Sequence, residues 1–269
     1  MIRGATKHSH RRSHHRRGGF TLVEMLVVVG IIVILAAILV PAVYMGLSAA
    51  SDAAIAVEVA NLDAAMRQYK NITHGYAHPP NFTSDAVVRA HIKQKFGRVN
   101  WASARVPPTG LDPAEALVFW LQGFGSDPTN PLIGKRQGLF DFDEARLVET
   151  RVDGTAPNEI QLYHYFPKGA QRVPYVYIHH DSYTAASYTA TSPQPGTGTI
   201  RAYRGDADGD GDGQLDFVNK DTYQIISAGQ DGDWGTDTGS ANKQYPSGTN
   251  FSPGDQDNIA NFSEGTLAD

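Results

Sequence analysis

The sequence predicts an α+β fold, in which one long N-terminal helix packs on a globular head built around an antiparallel sheet. Three observations predict it. From Phe20 to Leu39 only Thr21 and Glu24 are polar or charged. From Pro41 to Asn71 apolar residues recur at three- and four-residue steps, the period of an amphipathic helix. Later in the chain, short β-prone runs separated by turn clusters follow helical patterns, as in an α+β head.

The first element is residues 20–40. Its apolar run is about 20 residues long, which at 1.5 Å each spans about 30 Å, the thickness of a bilayer's hydrocarbon core. It is apolar all round, so it reads as a transmembrane helix. Pro41 and Gly46 then mark a soft spot. Residues 41–71 read as an amphipathic continuation. Val43, Leu47, Ala50, Ala54, Val57, Leu62, Ala65, Met66 and Tyr69 form the expected stripe, with Asp52, Glu58, Asp63, Arg67 and Lys70 on the other positions. The stripe is small at first and bulky later, which suits docking of its upper half on a head. Gly75 and the Pro79-Pro80 pair predict a helix end near Asn71.

Residues 72–269 are the expected head. Asp85 to Phe96 reads as a short helix. Asp112, Pro113 and Glu115 spell an N-cap, a first helical residue and a capping-box acid. The helix they open carries Leu117, Phe119, Trp120 and Leu121 and stops at Gly123. Strands are expected at Ile160–Phe166, Pro174–His179, Ile200–Tyr203 and Tyr223–Ala228. Ala185 to Thr199, rich in Ser, Thr, Pro and Gly, reads as an exposed loop.

Charge is unevenly placed. Residues 1–19 read as a basic leader, with Arg3, Lys7, Arg11, Arg12, Arg16 and Arg17 and no acid. The whole chain is −5, so removing those six positive charges leaves −11. So acidic a remainder excludes nucleic acid as a partner, since phosphate contacts need Lys and Arg. The leader reads as a positive-inside anchor. There is no cysteine, so packing or metal must hold the long loops.

Gly18-Gly19-Phe20-Thr21-Leu22-Val23-Glu24-Met25-Leu26 joins the leader to the helix. A carboxylate placed there is costly in lipid and calls for a partner cation. With Pro41, this stretch resembles the type IV pilin-like proteins: type IV pilins and type II secretion pseudopilins. The resemblance implies a prepilin peptidase that cuts between Gly19 and Phe20 and methylates the new amine of Phe20. It also implies an inner-membrane precursor, single-pass with its head in the periplasm. Inner-membrane assembly machinery would then join it to other pilin-like subunits through the N-terminal helix. Glu24 is the expected assembly residue. An uncleaved signal anchor, a signal peptide cut after Ala50 and twin-arginine export from Arg16-Arg17 fit less well.

Two acidic, glycine-rich stretches carry the candidate metal chemistry. Asp208, Asp210 and Asp212 stand at positions 1, 3 and 5 of a calcium-type loop, with Gly213 at position 6 and Asp216 at position 9. Asn219, not Glu, holds position 12. A solvated acidic turn is the alternative. The second stretch joins Ser227-Ala228-Gly229-Gln230-Asp231-Gly232 to Asp255-Gln256-Asp257-Asn258-Ile259. It resembles the C-terminal calcium loop of the major pseudopilin, which implies Asp231 and Asp255 as calcium ligands, with Asp257 as the substitute for the acid that this sequence lacks before Ile259. Asn258 stands where that pattern has an acid. His179-His180-Asp181 are metal-ligand types, but neighbours on a strand point to opposite faces. Arg204-Gly205-Asp206 opens the first acidic loop and reads as chance. No nucleophile elbow, phosphate loop or paired-carboxylate site suggests an enzyme. The expected function is a structural subunit of a type II secretion pseudopilus or type IV pilus-like filament. The alternative is a membrane-anchored calcium-binding protein that does not assemble.

Overall fold

The computed structural model describes residues 19–72, 78–81, 85–101, 110–153, 159–169, 173–184, 199–236 and 243–268. The leader up to residue 18 and nearly all of the expected loop at 185–199 lie outside the described residues. The chain divides into two compact units, Met1–Leu47 and Ser48–Asp269. Helix α1, Leu22–Ile72, is 51 residues long, contains Pro41 and contributes residues to both units.

In the first unit every described residue is exposed, including Leu22, Leu26, Ile34, Ile38 and Leu39. The helix has a mean hydropathy of 3.2 over its most apolar stretch and is long enough to cross a membrane. So much bare apolar surface requires lipid or neighbouring helices. α1 continues through Pro41, although proline offers no N–H to the Ala37 carbonyl four residues back.

In the second unit α1 buries Ile55, Val59, Leu62, Ala65, Met66 and Tyr69. The alternating four- and three-residue steps from Ile55 to Tyr69 are one face of a helix. This corrects the upstream half of the expected stripe. Ala54 and Val57 are exposed, because the bulky Leu62-Met66-Tyr69 row sets the phase, and counting back from it reaches Val59 and Ile55. Helices α2 (Asp85–Lys95) and α3 (Pro113–Leu121) fall close to their expected places. The Asp112 carboxylate accepts the N–H groups of Ala114 and Glu115 at 2.8 and 2.7 Å, and Glu115 accepts the Asp112 N–H at 3.2 Å. All nine residues of α3 are buried.

Among the described residues the strands form three small antiparallel sheets. β1 (Phe124–Gly125) pairs with β2 (Arg136–Gln137), and β3 (Leu147–Asp153) pairs with β4 (Ile160–Tyr165). β5 (Val176–His179), β6 (Tyr223–Ser227) and β7 (Ile259–Ala260) lie in that order. β6 is buried along its whole length. Tyr177, Tyr223, Ile225 and Ile259 join the core that α1 and α3 share. Val176, Ile226 and Ala260 join a second core with Tyr203, Trp234 and Leu267, under the long loops. The expected strand at Ile200–Tyr203 is not formed. Ile200, Ala202 and Tyr203 are buried in that second core without a ladder, and the side chain of Gln224 takes both the N–H and the carbonyl of Tyr203 at 2.8 Å.

The β3–β4 sheet is tied to α1 by a polar cluster. Arg146 grips Glu58 with both terminal nitrogens, and the hydroxyls of Tyr165 and Tyr175 donate to the same carboxylate at 2.9 and 2.6 Å. Burial alone would raise the Glu58 pKa, but these bonds and the Arg146 charge together hold it below the usual carboxylate value.

Candidate functional site

The N-terminal site is built by the first turn of α1. Thr21 precedes the helix, and its hydroxyl accepts the Glu24 N–H at 3.2 Å. Glu24 Oε2 accepts the Thr21 N–H and the Thr21 hydroxyl, both at 2.8 Å. This reciprocal capping box uses orphan donors of the helix start and a favourable interaction with the helix dipole. It is a local role for Glu24 that sequence reading missed, although Thr-x-x-Glu is its signature. Gly19 and Phe20 are exposed, immediately before the helix.

The first acidic loop curls as expected. Asp208 accepts the N–H groups of Gly211 and Gly213 at 2.7 and 2.9 Å. Those amides, Gly213 first, hold its carboxyl below the usual range. Asp210 accepts the Asp212 N–H at 3.2 Å and Asp212 accepts the Gln214 N–H at 2.8 Å. Gly213 sits at φ +86°, a conformation that glycine adopts without strain. One oxygen from each of Asp208, Asp210 and Asp212 lies within 4.8 Å of the others, and all three residues are exposed. This all-oxygen donor set suits a hard cation such as calcium.

The C-terminal loop separates the three residues named for it. Asp257 Oδ2 accepts the N–H groups of Gln230 and Asp231 at 2.7 and 3.0 Å, while its Oδ1 is buried without a partner. Gly229, at φ +57°, makes room for this contact: a Cβ there would come within 2.4 Å of the Asp257 side chain. Burial raises the Asp231 pKa, and the charges of Asp257 and Asp233 add to it. Asp233, which sequence reading did not single out, donates its N–H to Asp231 at 2.7 Å. The partnerless oxygen of Asp257 beside Asp231 fits a cation.

Asp255 takes a different place. It is fully buried, and both oxygens are engaged. Oδ1 accepts from the Lys243 ammonium and from the Tyr203 hydroxyl at 2.9 Å, and Oδ2 accepts from the Ser252 N–H and hydroxyl at 2.8 and 2.7 Å. Lys243 also donates to the Trp234 carbonyl at 2.8 Å. An ammonium therefore occupies the cation position at Asp255, and this carboxylate does not fit a calcium ion. A lone lysine in a loop gave no signal of this in the sequence.

Residues 14–40 match the family model described as the prokaryotic N-terminal methylation motif. This motif is the prepilin signal of type IV pilins and pseudopilins. The matched segment holds the Gly19–Phe20 junction, Glu24 and the exposed apolar part of α1. No curated protein and no solved structure matches the chain.

Proposed function

We propose that this chain is a structural subunit of a type II secretion pseudopilus or a closely related type IV pilus-like filament. The observation that carries this reading is the methylation motif lying on a helix whose apolar surface is bare all round. Cleavage falls between Gly19 and Phe20, and the Phe20 amine is methylated. The precursor crosses the inner membrane once with its head in the periplasm. The apolar helices then leave the bilayer and bundle as the filament core under the inner-membrane assembly machinery. Glu24, which caps its own helix in the uncleaved chain, neutralises the Phe20 ammonium of a neighbouring subunit. Such a charge-assisted contact is strong in an apolar bundle, and losing one partner leaves the other unpaired. The likeness of the C-terminal loop to that of the major pseudopilin favours the secretion branch.

The chain has no cysteine, so single introduced cysteines report contacts cleanly. With Val27→Cys or Ile34→Cys, oxidation is expected to give ladders of mature-length subunits. Monomers alone at both positions would favour the alternative, an anchored calcium-binding protein that does not assemble. We also propose calcium at Asp208, Asp210 and Asp212, and at Asp231 with Asp257. Calcium should raise the melting temperature of the detergent-solubilised chain, and Asp210→Ala and Asp231→Ala should each remove part of the shift. No shift at millimolar calcium would leave both places as solvated acidic turns.

A further inference from the structure

A desolvated cation without a counter-ion stands at the C-terminal end of α3. Gly123, just past that helix, sits at φ +71°, and a Cβ there would collide with the Gln137 carbonyl, so glycine lets β2 lie this close. The Leu139 N–H secures the approach by donating to the Leu121 carbonyl at 2.8 Å. Arg136, on β2, is thereby held under the helix end. Its Nη1 lies 3.5 Å from the Phe119 carbonyl oxygen and 3.5 Å from Gln122 Oε1, and its Nη2 lies 3.4 Å from the Leu132 carbonyl oxygen. The guanidinium carbon is 5.1 Å from the centroid of the Phe119 ring. All three acceptors are neutral, and each distance is beyond the usual range of a hydrogen bond. The helix end supplies only a partial negative charge. Among the described residues no carboxylate pairs with Arg136. Burial, with no charge to offset it, lowers its pKa to about 10, so the group stays charged at neutral pH. A desolvated charge left without a partner is costly.

The same guanidinium lines an open cavity of about 410 Å³, the size of a small-molecule site. Phe140 and Phe142, with ring centroids 4.8 Å apart, give it an aromatic wall, and Tyr163 adds to it from β4. Gln161 and Tyr163 stand two residues apart on β4, so they share the face opposite the buried Ile160 and Leu162. The Tyr163 hydroxyl donates to Gln161 Oε1 at 2.6 Å. Glu159 is exposed on the same wall and forms no ion pair with Arg136. What this set of groups lacks is an anion. A guanidinium takes both oxygens of a carboxylate through its planar fork, a geometry that neither a carbonyl nor a lone amide matches.

We infer that the cavity at the end of α3, β2 and β4 binds a small organic acid, with its carboxylate on Arg136 and its apolar or aromatic body against Phe140, Phe142 and Tyr163. This site takes an anion, so it is distinct from the acidic loops, and it does not depend on filament assembly.

The test uses the full chain in detergent, with benzoate as the probe and benzamide as its neutral isostere. In calorimetry and saturation-transfer NMR, benzoate is expected to bind one-to-one and benzamide roughly tenfold more weakly. Arg136→Gln should weaken benzoate by a similar factor and leave benzamide unchanged. Gln161→Glu, on the exposed rim, keeps an acceptor for the Tyr163 hydroxyl and adds a negative charge to the cavity. It should weaken benzoate and not benzamide, with the melting temperature unchanged. Glu159→Gln removes a like charge from the wall and should strengthen benzoate. No benzoate binding at millimolar concentration, equal binding of benzoate and benzamide, or benzoate binding unaltered in both Arg136→Gln and Gln161→Glu would overturn the assignment. Benzoate binding in Glu159→Gln alone would also overturn it, because Glu159 would then be the counter-ion of Arg136.

Discussion

Asp255 and Lys243 show how far one residue's role can lie from its sequence pattern. The carboxylate was expected on a metal, and it is closed instead on an ammonium contributed from twelve residues away. Removing one partner of a buried pair leaves an uncompensated charge, which costs about 3–5 kcal/mol. Lys243→Met should therefore lower stability by that order in chemical denaturation. The double variant Lys243→Met/Asp255→Leu should lose much less. Equal losses in single and double variants would mean that packing, and not the charge pair, holds the loop. Protection of the Ser252 amide, measured by hydrogen exchange, should survive chelator in the parent chain, since an ammonium closes that turn. At the other end of the chain, Glu24→Ala should insert and be cleaved but enter filaments poorly, and normal incorporation would show that Glu24 serves only as a helix cap. The Gly19–Phe20 junction and Glu24 stand within nine consecutive residues and were legible for that reason, while the Thr21–Glu24 box in the same stretch was passed over although its spacing is local. The Lys243 contact depends on how a long aperiodic loop folds back, and no local spacing encodes it.

At the scale of elements, legibility again followed locality. α3 was readable because Asp112, Pro113 and Glu115 make its start within four residues. Asp112→Ala should cost about 0.5–2 kcal/mol from the cap alone. It also removes the Asp112 contact with His164 at 2.9 Å, so a measured loss below that range would show that the cap is dispensable. β4, β5 and β6 were found from their Tyr-, Val- and Ile-rich runs. β3 was missed because Leu147–Asp153 carries Glu149, Thr150 and Arg151 in its middle, and the last two are held by partners. Thr150 and Arg151 bond Glu115 of α3, and Thr150 also bonds the Leu162 carbonyl of β4. The phase of α1 was half legible. Truncating Ile55 to Ala opens a cavity in the shared core and should cost about 2–5 kcal/mol, whereas Val57→Ala on the exposed face should be nearly neutral. A large loss at Val57 would restore the stripe read from sequence.

The whole molecule joins a bare apolar helix to a head whose stability should depend on pH in two windows. His91 is buried against Tyr69, whose hydroxyl lies 2.9 Å from Nε2. Burial, with the charge of Lys95, lowers its pKa from 6.5 to about 4. The unfolded chain thus binds a proton in this window that the folded chain refuses, so stability is present above 6.5 and lost as pH falls toward 4. Glu58 acts lower. Its depressed pKa gives stability above the ordinary carboxylate value, which is lost as pH falls through the folded value. His78 and His179, whose pKa values burial also lowers to about 4, share the upper window, so His91→Asn should remove part of its slope in urea denaturation, and an unchanged slope would exclude His91 as a contributor. Whether the apolar helix is destined for a filament is a separate question, and it turns on whether the methylation motif at residues 14–40 is processed. The most direct measurement is the mass and N-terminal sequence of the protein recovered from membranes of a cell that carries prepilin peptidase. The account predicts a chain that begins at Phe20, lacks residues 1–19 and bears one methyl group on its α-amine. A chain that retains Met1, or one that begins at Ser51, would contradict it.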